Sequence, residues 1–186
     1  MIAFLQGVVT AKHPDRIELD VNGVGYEVLV SQKTLQATPA VGQTALLKTY
    51  LHVREDLLQL FGFLKDSEKQ AFLLALTVSG VGPKAAMNIL STHTPDSFYQ
   101  AVLHNDLATL KAIPGIGQKT AQHVVLELRE KVTKLTGGGT LSEEGAFNVE
   151  SRNISDAIQA MMALGYSVAE SSRAVLTAVQ SLGDKS

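Results

Sequence analysis

The chain contains no cysteine. Disulfides, zinc–thiolate sites and iron–sulfur clusters are thereby excluded. It also lacks any run near the roughly 18 uncharged apolar residues that a membrane-spanning helix needs. The opening MIAFLQGVVTAK has no basic stretch and no small-residue cleavage site, so no signal peptide is expected and a cytoplasmic protein is the simplest fit. His13, His52, His93, His104 and His123 have no ligand spacing, so no metal and no cofactor is expected. An excess of positive charge is missing as well: 16 Lys and Arg stand against 18 Asp and Glu, and a net charge of −2 does not advertise a polyanion partner. The distribution says more. Residues 63–135 carry 8 cations against 6 carboxylates and are the only net positive part; residues 1–62 carry 5 against 6, and 136–186 carry 3 against 6.

What is present, 186 residues at 45% apolar, is enough for real cores in one or two ordinary domains, or three if some are small. Residues 1–64 read as β. Ile17, Leu19 and Val21 alternate with charged residues, Asn22-Gly23 is a strong hairpin signal, and Tyr26, Val28 and Val30 alternate again. A third run covers Ala45, Leu47, Thr49, Leu51 and Val53, and further strands are expected near 2–10 and 58–63. Five short strands suit a small closed barrel, which leaves no exposed edges. Near residue 65 the period turns helical. Ser67 and Gln70 have capping-box spacing, with Phe72, Leu73 and Leu76 following, and Thr94-Pro95 marks a second helix start. Five helices are expected in an all-α domain over 65–135. Residues 136–149, with three consecutive glycines, read as a flexible linker. Residues 150–186 read as a small helical domain. One stripe there holds Ile154, Ala157, Ile158, Met161 and Met162; a second helix, capped by Ser167 and Glu170, has Ala174, Val175, Ala178 and Val179 on one side. The fold class expected is α+β and multidomain.

Three Gly-x-Gly sites punctuate the chain. Gly23-Val24-Gly25 reads as a hairpin turn with close strand packing. The other two repeat each other: SGVGPKAAMNI at 79–89 aligns with PGIGQKTAQHV at 114–124 at a constant offset of 35, matching Gly80 to Gly115, Gly82 to Gly117, Lys84 to Lys119 and Ala86 to Ala121. In each, the first glycine permits a tight turn between two helices. Val81 or Ile116 can tuck between those helices. The second glycine leaves no side chain over the first turn of the second helix, where unpaired amides and the positive end of the helix dipole suit a phosphate. The lysine two residues on adds full charge. A glycine-turned helical hairpin without a ligand is the plain alternative, which the repetition weakens. The pattern resembles the helix-hairpin-helix, a module that grips DNA backbone without reading sequence, and phosphate contacts of that kind position a protein but carry no base information.

Other readings of these glycines fit less well. A dinucleotide fingerprint needs a strand before it, and EKQAFLLALTVS reads as a helix. GIGQKT has Gln118 where a phosphate-binding loop needs glycine before its lysine, so no nucleotide site is visible. A helix-hairpin-helix DNA glycosylase would use Lys119 as Schiff-base nucleophile together with a downstream aspartate. No aspartate lies between Asp106 and Asp156, and Gly137–Gly139 occupy that stretch. No catalytic residue is therefore expected.

Arg54-Glu55-Asp56 falls between two alternating runs and should form a hairpin tip, by itself an ordinary solvated turn. With MIAFLQG at the start, NGVGYEV at 22–28, VREDLLQLFGF at 53–63, the two hairpins and a tethered helical tail, the chain resembles the RuvA family along almost its whole length. These proteins are the junction-binding subunits of bacterial RuvAB branch-migration complexes. The resemblance implies an OB-fold first domain that also oligomerises, a second domain carrying both hairpins, and a mobile third domain. It implies a homotetramer, and an octamer on DNA, that holds a four-way Holliday junction open and square. Arms would be gripped by amides around Gly80, Val81 and Gly82 and around Gly115, Ile116 and Gly117, helped by Lys84, Lys119 and Thr120. Glu55 and Asp56 match the family's acidic pin at the junction centre. Leu164 and Tyr166, in the third domain, match the surface for the RuvB ATPase ring; the RuvC resolvase is a further implied partner. Gln118 and His123 stand where the family often has basic residues, which implies a milder electrostatic grip. The tail shows two helical patterns where the family usually has three helices. A generic helix-hairpin-helix duplex-binding subunit is the second reading of the chain, and the glycosylase the third.

Overall fold

A computed structural model of the chain describes residues 1–136 and, beyond them, Met161, Ser171, Ala174 and Val175. The chain falls into two compact units, Met1–Gly138 and Gly139–Ser186.

In the first unit, β1 (Phe4–Lys12), β2 (Arg16–Val21), β3 (Val24–Val30), β4 (Thr44–Arg54) and β5 (Leu57–Phe63) close into a barrel in the order β1-β2-β3-β5-β4. The β3–β5 pair is parallel and the others are antiparallel, giving the five-stranded Greek-key barrel of the OB type. Alternation drives this: Ile17, Leu19, Val28, Val30, Ala45 and Leu47 all point into one core with Leu5, Val9 and Leu60. β1 pairs with β4 through its first half and β2 through its second, and a bulge between Val9 and Ala11 bends it from one neighbour to the other. The Asn22-Gly23 turn joins β2 to β3 with φ of 53° and 86°, the left-handed pair that a two-residue hairpin needs.

Close packing falls on other glycines than expected. A Cβ built at Gly25 meets nothing within 4 Å. At Gly7 it would lie 2.3 Å from the Asp20 carbonyl oxygen, and at Gly62 it would lie 2.5 Å from Val28 Cγ1. These two let strands and core approach each other.

A short helix not read from the sequence, α1 (Gln32–Ala37), links β3 to β4. Ser31 caps it, accepting from the Thr34 amide, and Lys12 Nζ donates to the Leu35 and Thr38 carbonyls (3.3 and 2.6 Å) at its other end. Five helices follow: α2 (Asp66–Leu76), α3 (Pro83–Thr92), α4 (Pro95–Leu103), α5 (Leu107–Lys111) and α6 (Gln118–Leu135). The N-cap of α2 is Lys65, two residues before the expected Ser67. Glu68 reaches back to the amides of Leu64 and Lys65 (3.0 and 3.1 Å) and displaces the Ser67–Gln70 pairing. Leu73 is exposed, so the buried face of α2 is Ala71, Phe72 and Ala75. Phe72 stacks against Tyr50, Phe61 and Phe63 with centroids 5.0–5.5 Å apart, which seats the helix on the barrel. α1 ties down the other side: the Gln32 amide donates to Ser91 Oγ and Lys33 Nζ to the Thr92 carbonyl at the end of α3. Burial there, opposed by Glu68, lowers the Lys33 pKa; burial and then Lys33 lower that of His93.

In the second unit the four described residues are helical. Ser171 and Val175, one turn apart, are buried, while Ala174 is exposed and so lies off the face it was assigned to. The rest of the expected linker and tail, with Leu164 and Tyr166, lies outside the described residues. Among the described residues, no helix is long and apolar enough to cross a membrane.

Candidate nucleic-acid interface

The two glycine hairpins are the same structure built twice. In the first, α2 is C-capped by Thr77 and the chain turns through Val78–Gly82 into α3; in the second, α5 is C-capped by Ala112 and Ile113–Gly117 lead into α6. The backbone bonds repeat at the sequence offset. Thr77 and Ala112 donate to Leu74 and Thr109, Val78 and Ile113 to Ala75 and Leu110, Val81 and Ile116 to Val78 and Ile113, and Ala86 and Ala121 to Gly82 and Gly117. Gly80 and Gly115 have φ of 86° and 88°, a left-handed conformation that explains why each is glycine. Val81 and Ile116 are buried between their helices, as their apolar character requires.

Gly82 and Gly117 are the N-caps of α3 and α6, with φ, ψ of −93°, 176° and −84°, 177°. That is ordinary extended backbone, so conformation does not demand glycine. A Cβ at either would meet nothing within 4 Å. What the glycines provide is an open approach to the helix start. α1, α4 and α5 are capped by the side chains of Ser31, Thr94 and Asp106, and Glu68 serves α2; neither α3 nor α6 has a side-chain cap. Their first-turn amides point outward with the positive end of the helix dipole behind them. Pro83 at the first position of α3 contributes no donor, so that start offers fewer amides than α6. Lys84 and Lys119 are exposed beside these openings, and Thr120 is half-buried.

The two hairpins meet reciprocally. The Cβ direction of Gly80 faces Thr120, with Oγ1 3.7 Å away, and that of Gly115 faces Ala85, with Cβ 3.6 Å away. Since 80 and 115 are equivalent, as are 85 and 120, each first glycine packs on the first turn of the other hairpin's second helix, a two-fold arrangement within one chain. Both open helix starts therefore share one region of surface. Sequence reasoning missed Ala85, Asn88 and Pro114, which make this contact; Asn88 Nδ2 donates to the Pro114 carbonyl at 2.9 Å. Lys131 is not a free cation, since it donates to Thr77 Oγ1 at the end of α2 (2.9 Å). Asp106, which caps α5, has its pKa lowered by the Thr109 hydroxyl and amide it accepts from.

Glu55 and Asp56 form a two-residue turn between β4 and β5, closed by the Arg54–Leu57 pair. Both are exposed, and Val53 and Leu58, paired across the ladder beneath them, are exposed too. Arg54 Nε donates to His52 Nε2 (3.0 Å), so that guanidinium turns back along its strand.

Comparison with known proteins matches residues 1–62 to the RuvA N-terminal domain and residues 72–130 to the SAM-like helix-hairpin-helix tandem. Among curated relatives, a protein of Syntrophobacter fumaroxidans is 43% identical over 98% of this chain and 91% of its own length. One of Acetivibrio thermocellus is 42% identical over 94% of this chain and 88% of its own. One of Prosthecochloris aestuarii is 41% identical over 97% and 90%. Each of the three is named Holliday junction branch migration complex subunit RuvA.

Proposed function

The chain belongs to the RuvA family, and from that membership and the site's geometry we propose that it binds four-way DNA junctions by shape and holds them open for branch migration. The observation that carries this reading is the pair of uncapped helix starts, identical in backbone geometry and packed reciprocally. Each is a phosphate cradle, formed by the first hairpin around Gly80, Val81, Gly82 and Lys84 and by the second around Gly115, Ile116, Gly117, Lys119 and Thr120. Cradles of backbone amides read no bases, so preference comes from the angle between arms and not from sequence. The barrel, residues 1–64, presents Glu55 and Asp56 where four copies meet, and the two hairpins of each copy, residues 65–135, together take one arm. The chain itself does no catalysis; RuvB supplies ATP-driven motion, recruited through the tail around Leu164 and Tyr166, and RuvC resolves the junction. This work is done in the cytoplasm.

The test is binding of the full chain to a four-way junction and to linear duplexes of the same arm sequences, at fixed salt. Marked preference for the junction is expected. Equal affinity for both would leave a generic duplex-binding subunit.

The pin reading has its own test. Carboxylates on a projecting turn repel phosphates, so Glu55→Gln with Asp56→Asn should keep junction affinity or raise it several-fold, as loss of a like-charge contact does. Branch migration driven by RuvB should change. If migration proceeds as before, the turn does not act on the crossover.

A further inference from the structure

We infer that Asn88 is a positioning residue for DNA binding: it fixes the second phosphate cradle relative to the first. This rests on the cradle reading above and adds a residue that touches no phosphate in it. Asn88 sits on α3, just over one turn beyond the first helix start, and its Nδ2 donates to the Pro114 carbonyl in the second hairpin. Among the described residues, this is the hydrogen bond that joins the two hairpins at their glycine ends. Around it, Gly80 faces Thr120 and Gly115 faces Ala85 with no polar group of their own to fix a direction. The Asn88 bond sets an orientation at this end, as the Lys131–Thr77 bond does farther along α6.

Its acceptor matters. Pro114 and Gly115 share a trans peptide plane, in which the carbonyl and the following N–H point opposite ways. Holding the Pro114 carbonyl toward α3 turns the Gly115 N–H away from α3, on the exposed side of the loop. Gly115 is left-handed and has no side chain to hold that plane, so without the bond its rotation is opposed only by the turn itself. The two-fold relation is broken here. The position equivalent to Asn88 is His123, and that equivalent to Pro114 is Ser79; among the described residues no hydrogen bond joins that pair. One clamp therefore serves both cradles. Phosphates along a duplex have fixed separations, and a hairpin free to rock must be ordered on binding, which costs affinity.

The experiment is a double-mutant cycle on junction binding with the full chain at low salt. Asn88→Leu keeps the shape and removes the donor; Asn88→Ala is the second variant. Either should weaken binding about threefold to tenfold, measured well below a thermal midpoint that the loss of one hydrogen bond lowers by a few degrees. In a Gly117→Leu background, where the second cradle is closed, the same changes should cost less than twofold, because there is no second cradle left to place. Unchanged affinity in the simple variants overturns the inference, as does an equal loss in both backgrounds. If the unaltered chain binds no junction, the cradle reading fails first, which is a separate result.

Discussion

Replacing Gly82 and Gly117 together by leucine is expected to remove DNA binding and leave the fold in place. Both residues have extended dihedrals open to any amino acid, and both Cβ directions lead into empty space. With no clash and no strain, the cost is the poorer N-cap preference of leucine, about 0.5–1 kcal/mol at each site. The new side chains, however, stand at the starts of α3 and α6, over amides that no protein group caps. A hydrogen bond to a charged group contributes about 1.5–3 kcal/mol. Losing one per cradle therefore costs about 3–6 kcal/mol, or roughly a hundredfold to ten-thousandfold in affinity. The measurement is junction affinity beside thermal midpoint. Retained affinity would sink the cradle assignment. Gly80 and Gly115 cannot serve this test, because their positive φ makes any side chain a folding defect.

Gly7→Ala should have the largest effect on stability. The added methyl would lie 2.3 Å from the Asp20 carbonyl oxygen, 2.9 Å from Val21 Cγ2 and 3.0 Å from the Asp20 carbonyl carbon. Two of these atoms are backbone held in the β1–β2 ladder, so relief requires the strands to part. Overpacking of this kind costs about 1–3 kcal/mol or more, which should lower the thermal midpoint by several degrees. Gly25→Ala is the matched control. It adds the same methyl in the neighbouring hairpin, where nothing lies within 4 Å and φ is not positive, so its midpoint should hardly move. Equal midpoints for the two variants would deny the close approach.

This contrast shows where sequence reasoning reached its limit. Strands β2 to β4 and the longer helices over 66–135 were legible because their apolar residues repeat at a period that one secondary structure satisfies, and five-residue α5 was legible through the glycine hairpin that follows it. The two hairpins were legible for a different reason: the same unusual glycine spacing occurs twice, and the hydrogen bonds then repeat at that spacing. α1 was hidden because six residues span less than two turns and show no period. The start of α2 was misplaced because Asp66, Ser67 and Glu68 offer several local caps, and only tertiary context lets Glu68 collect the amides of Leu64 and Lys65. Which glycines are crowded is not written in the glycines. Gly7, Gly25 and Gly62 all sit in strands, and the atoms that crowd two of them arrive from other strands. Asn88 was invisible on the same ground: its partner, Pro114, is 26 residues away.

The reciprocal packing of Gly80 on Thr120 and Gly115 on Ala85 has a consequence for directionality. The strands of a duplex run antiparallel and are related by a dyad. On the cradle reading, a pair of cradles related in backbone by the same operation presents nearly the same face to both strands, so turning an arm end for end changes its contacts only where Pro83 and Thr120 break the likeness. On that reading strand polarity is nearly invisible to the hairpins, and an arm would be drawn past them either way at nearly equal cost. A grip of this kind guides motion without rectifying it, and whichever partner does the pulling must also supply the sense of travel.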